Sequence, residues 1–240
     1  MRYMRQSSLI RKFIPAVLAM TITGTEACRT QSPEDVTRNV IRQDIRAVFP
    51  DVPSSHPQFE AIQFLGRQRI MTALADGRFH PEQGMPRGQA LRLFLDTAGV
   101  RDIPTVTENP FPDVPAAHPL AGYVLRAVQL GVIRGYDAGN LQGRFAIDRI
   151  VSVIEALKMM LLSFHVPADQ LHNIPSYTDV PAGVWYVPFA RYAMEHHLIE
   201  AQPDGSIGRD NPLTRGEIAD LLYRFLRDRP DLLPAFIQSL

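Results

Sequence analysis

Three aspartates and three arginines recur in fixed register along this chain. Asp51 is followed by Arg87, Asp113 by Arg149 and Asp179 by Arg215, each pair 36 residues apart. A guanidinium is planar, permanently charged and matched to a carboxylate or phosphate, so these arginines suit an anionic ligand. Each falls in the first turn of an expected helix, where a cation is mildly unfavourable. Three such placements imply a partner for each, either a ligand or a structural acid. The aspartates read from their residue type as helix caps or turn closers. Trp185, the only tryptophan, reads as core or as groove wall. Gly135 reads first as a helix stop and second as a place where a ligand can approach the backbone.

Other chemistries find no residues here. His196 and His197 follow Glu195 without a His-Glu-x-x-His zinc pattern, and no Gly-x-Ser-x-Gly elbow or glycine-rich phosphate loop occurs. The Asp76-Gly77 and Asp204-Gly205 turns lack the ligand series of a calcium loop. No catalytic residue, metal or cofactor is expected, and the chain reads as a non-enzyme. Lys+Arg and Asp+Glu both number 25, which gives no pull toward nucleic acid. Lys12 and Lys158 are the only lysines. Base composition of the source genome accounts for that as well as an anion-binding role does.

The elements that position these residues are repeated. Phe-Pro-Asp-Val-Pro stands at 49–53 and 111–115 and returns as Tyr-Thr-Asp-Val-Pro at 177–181, at spacings of 62 and 66 residues. Eight residues after each aspartate an apolar face begins with Phe59, Ala121 and Val187 and continues in helical steps through Ile62, Val124 and Ala190. A turn follows, with Gly77, Gly139 and Gly205 in register. A second helix is expected after each arginine. Thr214-Arg215-Gly216-Glu217 forms a capping box in the third copy, Asp148 takes the cap position in the second, and Pro86 leaves the first without a side-chain cap. The predicted fold is all-α: three helix-turn-helix units at 49–99, 111–164 and 177–228, with a tail at 229–240. One unit alone is marginal in size, and three share a core.

Residues 1–27 read as a secretory signal, with basic Arg2, Arg5, Arg11 and Lys12 before an apolar run from Phe13 to Gly24. That run is too short to span a bilayer. Cys28, the only cysteine, follows it directly and is a candidate for lipidation. Ser32-Pro33-Glu34-Asp35 opens a short helix within the 28–48 linker.

These residues resemble the S-layer homology family. Its repeat runs roughly Phe-x-Asp-Val, then His-Trp, a helix ending Gly-Ile-Ile-x-Gly, a Gly-Phe-x-Pro turn, and Thr-Arg-Ala-Glu opening the second helix. His56 and His118 match the histidine, Trp185 the tryptophan, 130–135 the helix end, 77–81 the turn, and 213–217 the last motif. Ala73 and Ala201 replace the second glycine, Pro57 and Pro119 replace the tryptophan, and 85–89 and 147–151 are degenerate forms of the last motif. The resemblance implies a pseudo-three-fold helical bundle that holds exported proteins to the cell envelope. It implies binding of an anionic wall polysaccharide, often pyruvylated, in grooves between repeats. Carried onto this chain, the glycan-binding residues are Asp51, Arg87, Asp113, Gly135, Arg149, Asp179, Trp185 and Arg215, with the groove of Trp185 and Arg215 the best preserved. A monomer is expected, with membrane contact only through Cys28. A protein–protein adaptor on the same scaffold is the alternative.

Overall fold

The computed structural model describes residues 48–167 and 177–227, with Arg229 and Leu232. The export segment 1–27, Cys28 and the helix start at Ser32 lie outside the described residues. Among the described residues six α-helices occur: α1 (Phe59–Arg67), α2 (Arg87–Thr97), α3 (Ala121–Gln129), α4 (Val153–Ser163), α5 (Val187–Glu195) and α6 (Arg215–Arg227). Among the described residues there is no strand, only isolated bridges. The first helix of every repeat starts at the residue the apolar spacing indicates. Its inner face is buried in each case, through Ile62 and Leu65, Val124 and Ala127, and Ala190 and Ala193.

Helix partners are exchanged between repeats. α3 packs on α2 and α5 on α4, so each first helix lies against the second helix of the repeat before it; α1 packs on α6, which joins the first repeat to the third. The residues just ahead of the second helices meet at the centre. Met85 N–H donates to the Leu213 carbonyl, Leu213 N–H to Val151, and Val151 N–H to Met85, each at 2.9 Å. All three side chains are buried.

The same exchange satisfies the free amides that begin each second helix. In α2, Arg87 N–H donates to the Arg149 carbonyl at 2.8 Å and Gly88 N–H to Ile147 at 2.9 Å. In α4, Val153 and Ile154 donate to Asn211 and Arg209, both at 3.1 Å; in α6, Arg215 and Gly216 donate to Gln83 and Pro81, both at 2.8 Å. Pro86, which makes no side-chain cap, is tolerated because the neighbouring repeat takes the role of a cap. The expected box in α6 is present: Glu217 N–H donates to Thr214 Oγ1 at 3.2 Å and Thr214 N–H to Glu217 Oε2 at 2.8 Å.

The aspartates anchor loops. Asp51 accepts the amides of Phe79 (2.9 Å) and His80 (2.7 Å), Asp113 those of Phe145 (3.0 Å) and Ala146 (2.6 Å), and Asp179 those of Ile207 and Arg209 (both 2.9 Å). Phe79 and Ile207 lie 28 residues beyond their aspartates, but Phe145 lies 32 beyond. The second repeat thus carries four extra residues between Gly135 and Phe145, around a 3-10 turn at Gly139–Leu141. This insertion corrects three expectations. The second helix of that repeat begins at Val153, so Val153 and not Arg149 is the counterpart of Arg87 and Arg215. Its cap is Ser152, in a box with Glu155, and not Asp148. The turn glycine in register with Gly77 and Gly205 is Gly143, and Gly139 belongs to the insertion; all four have positive φ.

Candidate functional site

Each repeat's first helix ends in a groove whose far wall comes from other repeats. The groove beside Met71 and Thr72 also takes in Gln89 and Leu93 of α2, Arg215 of α6 and the His118-Pro119 loop, and encloses about 770 Å³. The one beside Ile133 and Gly135 takes in Glu155 and Lys158 of α4, Arg87 of α2 and Trp185, and encloses about 60 Å³. The one beside Leu198 and Ile199 takes in Val153, Glu217, Asp220 and Arg224, and encloses about 200 Å³. We call these the first, second and third grooves after the repeat whose helix end forms them.

Arg215 enters the first groove from the start of α6 and is 7% exposed. Its Nε donates to the Phe79 carbonyl at 2.8 Å and its Nη2 to the Thr72 carbonyl at 3.1 Å. The guanidinium lies 4.8 Å from the centre of the Phe79 ring. Burial lowers its pKa, opposed by the charge of Asp51. No carboxylate forms an ion pair with Arg215 among the described residues.

Arg87 enters the second groove from the equivalent position in α2 and is equally buried. Its guanidinium sits 4.9 Å from the Phe145 ring centre and 5.1 Å from that of Tyr136. Its Nη1 lies 3.2 Å from Glu155 Oε2. That contact is an ion pair by distance but lacks hydrogen-bonding geometry, and Arg87 Nε also has no hydrogen-bond partner. Glu155 is the hub of this groove. Its carboxylate also accepts from the Tyr136 hydroxyl (2.5 Å), the Ser152 amide (3.1 Å) and the Arg149 guanidinium. Burial pushes the Glu155 pKa up, but Arg87, Tyr136, the Ser152 amide and Arg149 together hold it below its ordinary value. Lys158 Nζ lies 4.7 Å from the Trp185 ring centre. Burial, then Arg87 and Arg134, lower the Lys158 pKa.

In the third groove the arginine's place is taken by Val153, which is buried. Arg224 is bound at 3.0 Å to Glu200 and 2.8 Å to Asp220. With Glu217 the lining holds three acids to one base.

The structure brings Arg87, Gly135 and Trp185 together, one from each repeat. Trp185 is 55% exposed and packs edge-on to Tyr186 and Phe189, so it is groove wall and not core. It does not share a groove with Arg215, contrary to the expectation that a tryptophan and arginine of one repeat act together. Gly135 has φ +81°, and a Cβ there would stand 2.6 Å from the Phe111 ring and 3.1 Å from the Arg144 carbonyl. Its need for glycine is structural, although it lines the second groove. Arg149 reaches the edge of that groove through Tyr136 and Glu155. The three aspartates have both carboxylate oxygens engaged by backbone amides. Glu155, Tyr136 and Lys158 were missed as groove residues. The Ser152-x-x-Glu155 pattern, matching Thr214-x-x-Glu217, was the available signal for Glu155.

Among the described residues no cluster of His, Cys, Asp and Glu could hold a metal, and no helix is long and apolar enough to cross a membrane. The S-layer homology domain matches this chain at residues 48–91, 110–150 and 176–219, more than half of its length. The second match ends before α4 begins, where the insertion shifts the register. No curated protein matches the chain. S-layer homology domains are generally cell-wall anchoring modules of cell-surface and envelope proteins; they typically bind cell-wall polysaccharide and are not a catalytic family. By three tandem matches that coincide with its three helix-turn-helix units, the chain belongs to the S-layer homology family.

Proposed function

We propose that this chain is exported and anchors to the cell envelope by binding an anionic wall polysaccharide in its inter-repeat grooves, without catalysis. The observation that carries the reading is Arg215. A guanidinium removed from water is costly without a paired counter-ion, and among the described residues Arg215 has none, only the unpaired charge of Asp51 acting on it. A ligand carboxylate entering the first groove supplies that counter-ion, with a charge-assisted hydrogen bond in place of the lost hydration. The groove's volume of about 770 Å³ is in the range of small-ligand sites. A pyruvate ketal on a sugar has the required chemistry: a fixed carboxylate on an otherwise neutral ring. The protein acts as a monomer, with Cys28 as a lipid attachment point if the export segment is removed ahead of it.

Sedimentation with cell-wall sacculi tests the reading. The protein is expected to sediment with intact sacculi and to stay in solution once their accessory polymer is stripped. Arg215→Ala is expected to weaken binding about 10- to 100-fold, the loss of one charge-assisted contact of about 1.5–3 kcal/mol. Equal sedimentation with and without the polymer refutes the accessory-polymer reading in favour of peptidoglycan. No sedimentation with either favours the protein–protein adaptor.

A further inference from the structure

The first helix of every repeat is followed by a residue with positive φ. In register after the shared aspartates these are Arg69 (φ 56°), Gly131 (φ 73°) and His197 (φ 50°). Glycine takes this conformation freely, whereas an L side chain there costs conformational energy. A Cβ at Gly131 would meet nothing within 4 Å, so the space is open and only the backbone is strained. A large residue kept at such a position points to a use for its side chain. His197 shows that the strain alone does not mark a site, since it does not line the third groove. Arg69 does line the first. It is exposed, and among the described residues its guanidinium makes no hydrogen bond or ion pair. The helix end does not call for it, because Arg67 already places a cation in the last turn of α1.

The first groove is also long. It follows one face of α2 from Gln89 in the first turn through Leu93 to Thr97 at the end. That helix has 11 residues, a length of about 16 Å, which exceeds a single pyranose ring. The volume of about 770 Å³ compares with about 60 Å³ and about 200 Å³ in the second and third grooves. Four arginines line it, Arg69, Arg92, Arg101 and Arg215, against the acids Asp96 and Asp148. Arg92 is paired with Asp96 at 3.3 Å, and Arg101 donates to the Asp96 carbonyl at 2.8 Å. Arg215 is buried and bonded to carbonyls, which leaves Arg69 at the rim with its charge unused.

We propose that Arg69 is a second anion-recognising residue of the first groove, which therefore holds an oligosaccharide segment with two acidic groups, one at Arg215 and one at Arg69. This rests on the anionic-glycan reading above and adds to it the length and charge of the segment. Neither other groove offers the same pair. Gly131 has no side chain, and the third groove carries Glu200, Glu217 and Asp220 against Arg224 alone.

Arg69→Gly tests this while sparing the fold, because it installs the residue of the second repeat and relieves the positive φ. Its melting temperature should match that of wild type or exceed it. The full chain is titrated by calorimetry with two probes: a methyl hexoside carrying one 4,6-linked pyruvate ketal, and a 1,3-linked trisaccharide carrying such a ketal on every residue. Arg69→Gly is expected to bind the trisaccharide about 3- to 5-fold more weakly than wild type, the scale of one exposed ion pair, and the monosaccharide equally well. The trisaccharide loss should shrink at raised salt, and Arg69→Lys should recover most of it. Undiminished trisaccharide binding by Arg69→Gly, or an equal fall with both probes, overturns the second contact but keeps the glycan reading. Absence of heat with either probe overturns the inference, and with it the glycan reading if the protein also fails to sediment with sacculi.

Discussion

Glu155→Ala should be among the most damaging substitutions in the chain. The Glu155 side chain is 11% exposed and that of its partner Arg87 is 8% exposed. Removing one member of a buried pair leaves the other charge uncompensated, at a cost of about 3–5 kcal/mol. Arg149 adds little to that figure, since its side chain is 39% exposed and water replaces the lost contact. The bond from Tyr136 belongs to the same network and is not additive with the pair. About 3 kcal/mol, at a urea m-value near 2 kcal/mol per molar, lowers the midpoint of unfolding by about 1.5 M. The assay is urea unfolding followed by circular dichroism, with Arg87→Met and the double variant beside it. If the orphaned guanidinium is the cause, Arg87→Met in the Glu155→Ala background recovers part of the loss. The effect of pH has a fixed sign. Glu155 titrates below its ordinary 4.5 when folded, so its contribution is complete above that value and declines as pH falls through the folded pKa. The gap between wild type and Glu155→Gln should therefore narrow below about pH 4.5. A loss under 1 kcal/mol for Glu155→Ala at pH 7, or no recovery with Arg87→Met, refutes the reasoning.

Two further substitutions probe the scaffold. Gly135→Ala meets both a positive φ and a Phe111 ring atom 2.6 Å from the new methyl, and should cost about 1–3 kcal/mol in thermal or urea unfolding. Gly77→Ala, with no atom within 4 Å of the added carbon, should fall at the low end of that range. Asp51→Asn leaves one of two buried amides without an acceptor and should cost about 1–3 kcal/mol at pH 7. Although burial opposes it, the amides of Phe79 and His80 hold the Asp51 pKa below its ordinary 3.8. The Asp51→Asn deficit should therefore persist at pH 5 and shrink only as pH falls below that value.

The helices were legible because their apolar residues repeat in steps of three and four, and Phe59, Ala121 and Val187 mark their starts without exception. The insertion was legible in principle. The second spacing exceeds the first by four residues, and Ser152-x-x-Glu155 repeats the capping pattern of Thr214-x-x-Glu217. Alignment on the arginine hid both, because Arg149 happens to stand 36 residues after Asp113. The composition of the grooves was not legible. Arg215 meets Thr72 across 143 residues, and Trp185 meets Lys158 across a repeat boundary. Such contacts follow from the exchange of helix partners between repeats, which local periodicity does not encode.

That exchange also sets how the protein comes apart and together. A linear array that loses an end unit loses one interface and keeps its others. Here deletion of any single repeat removes two interfaces and breaks the ring of backbone bonds among Met85, Val151 and Leu213. Fragments of one or two repeats should therefore lack a stable intermediate length, and unfolding should be all-or-none. The closing contacts join α1 to α6, so loop-closure entropy over most of the chain opposes the last step of folding. A chain emerging from its N-terminus stays open until the third repeat is available, and is threadable for as long as that takes.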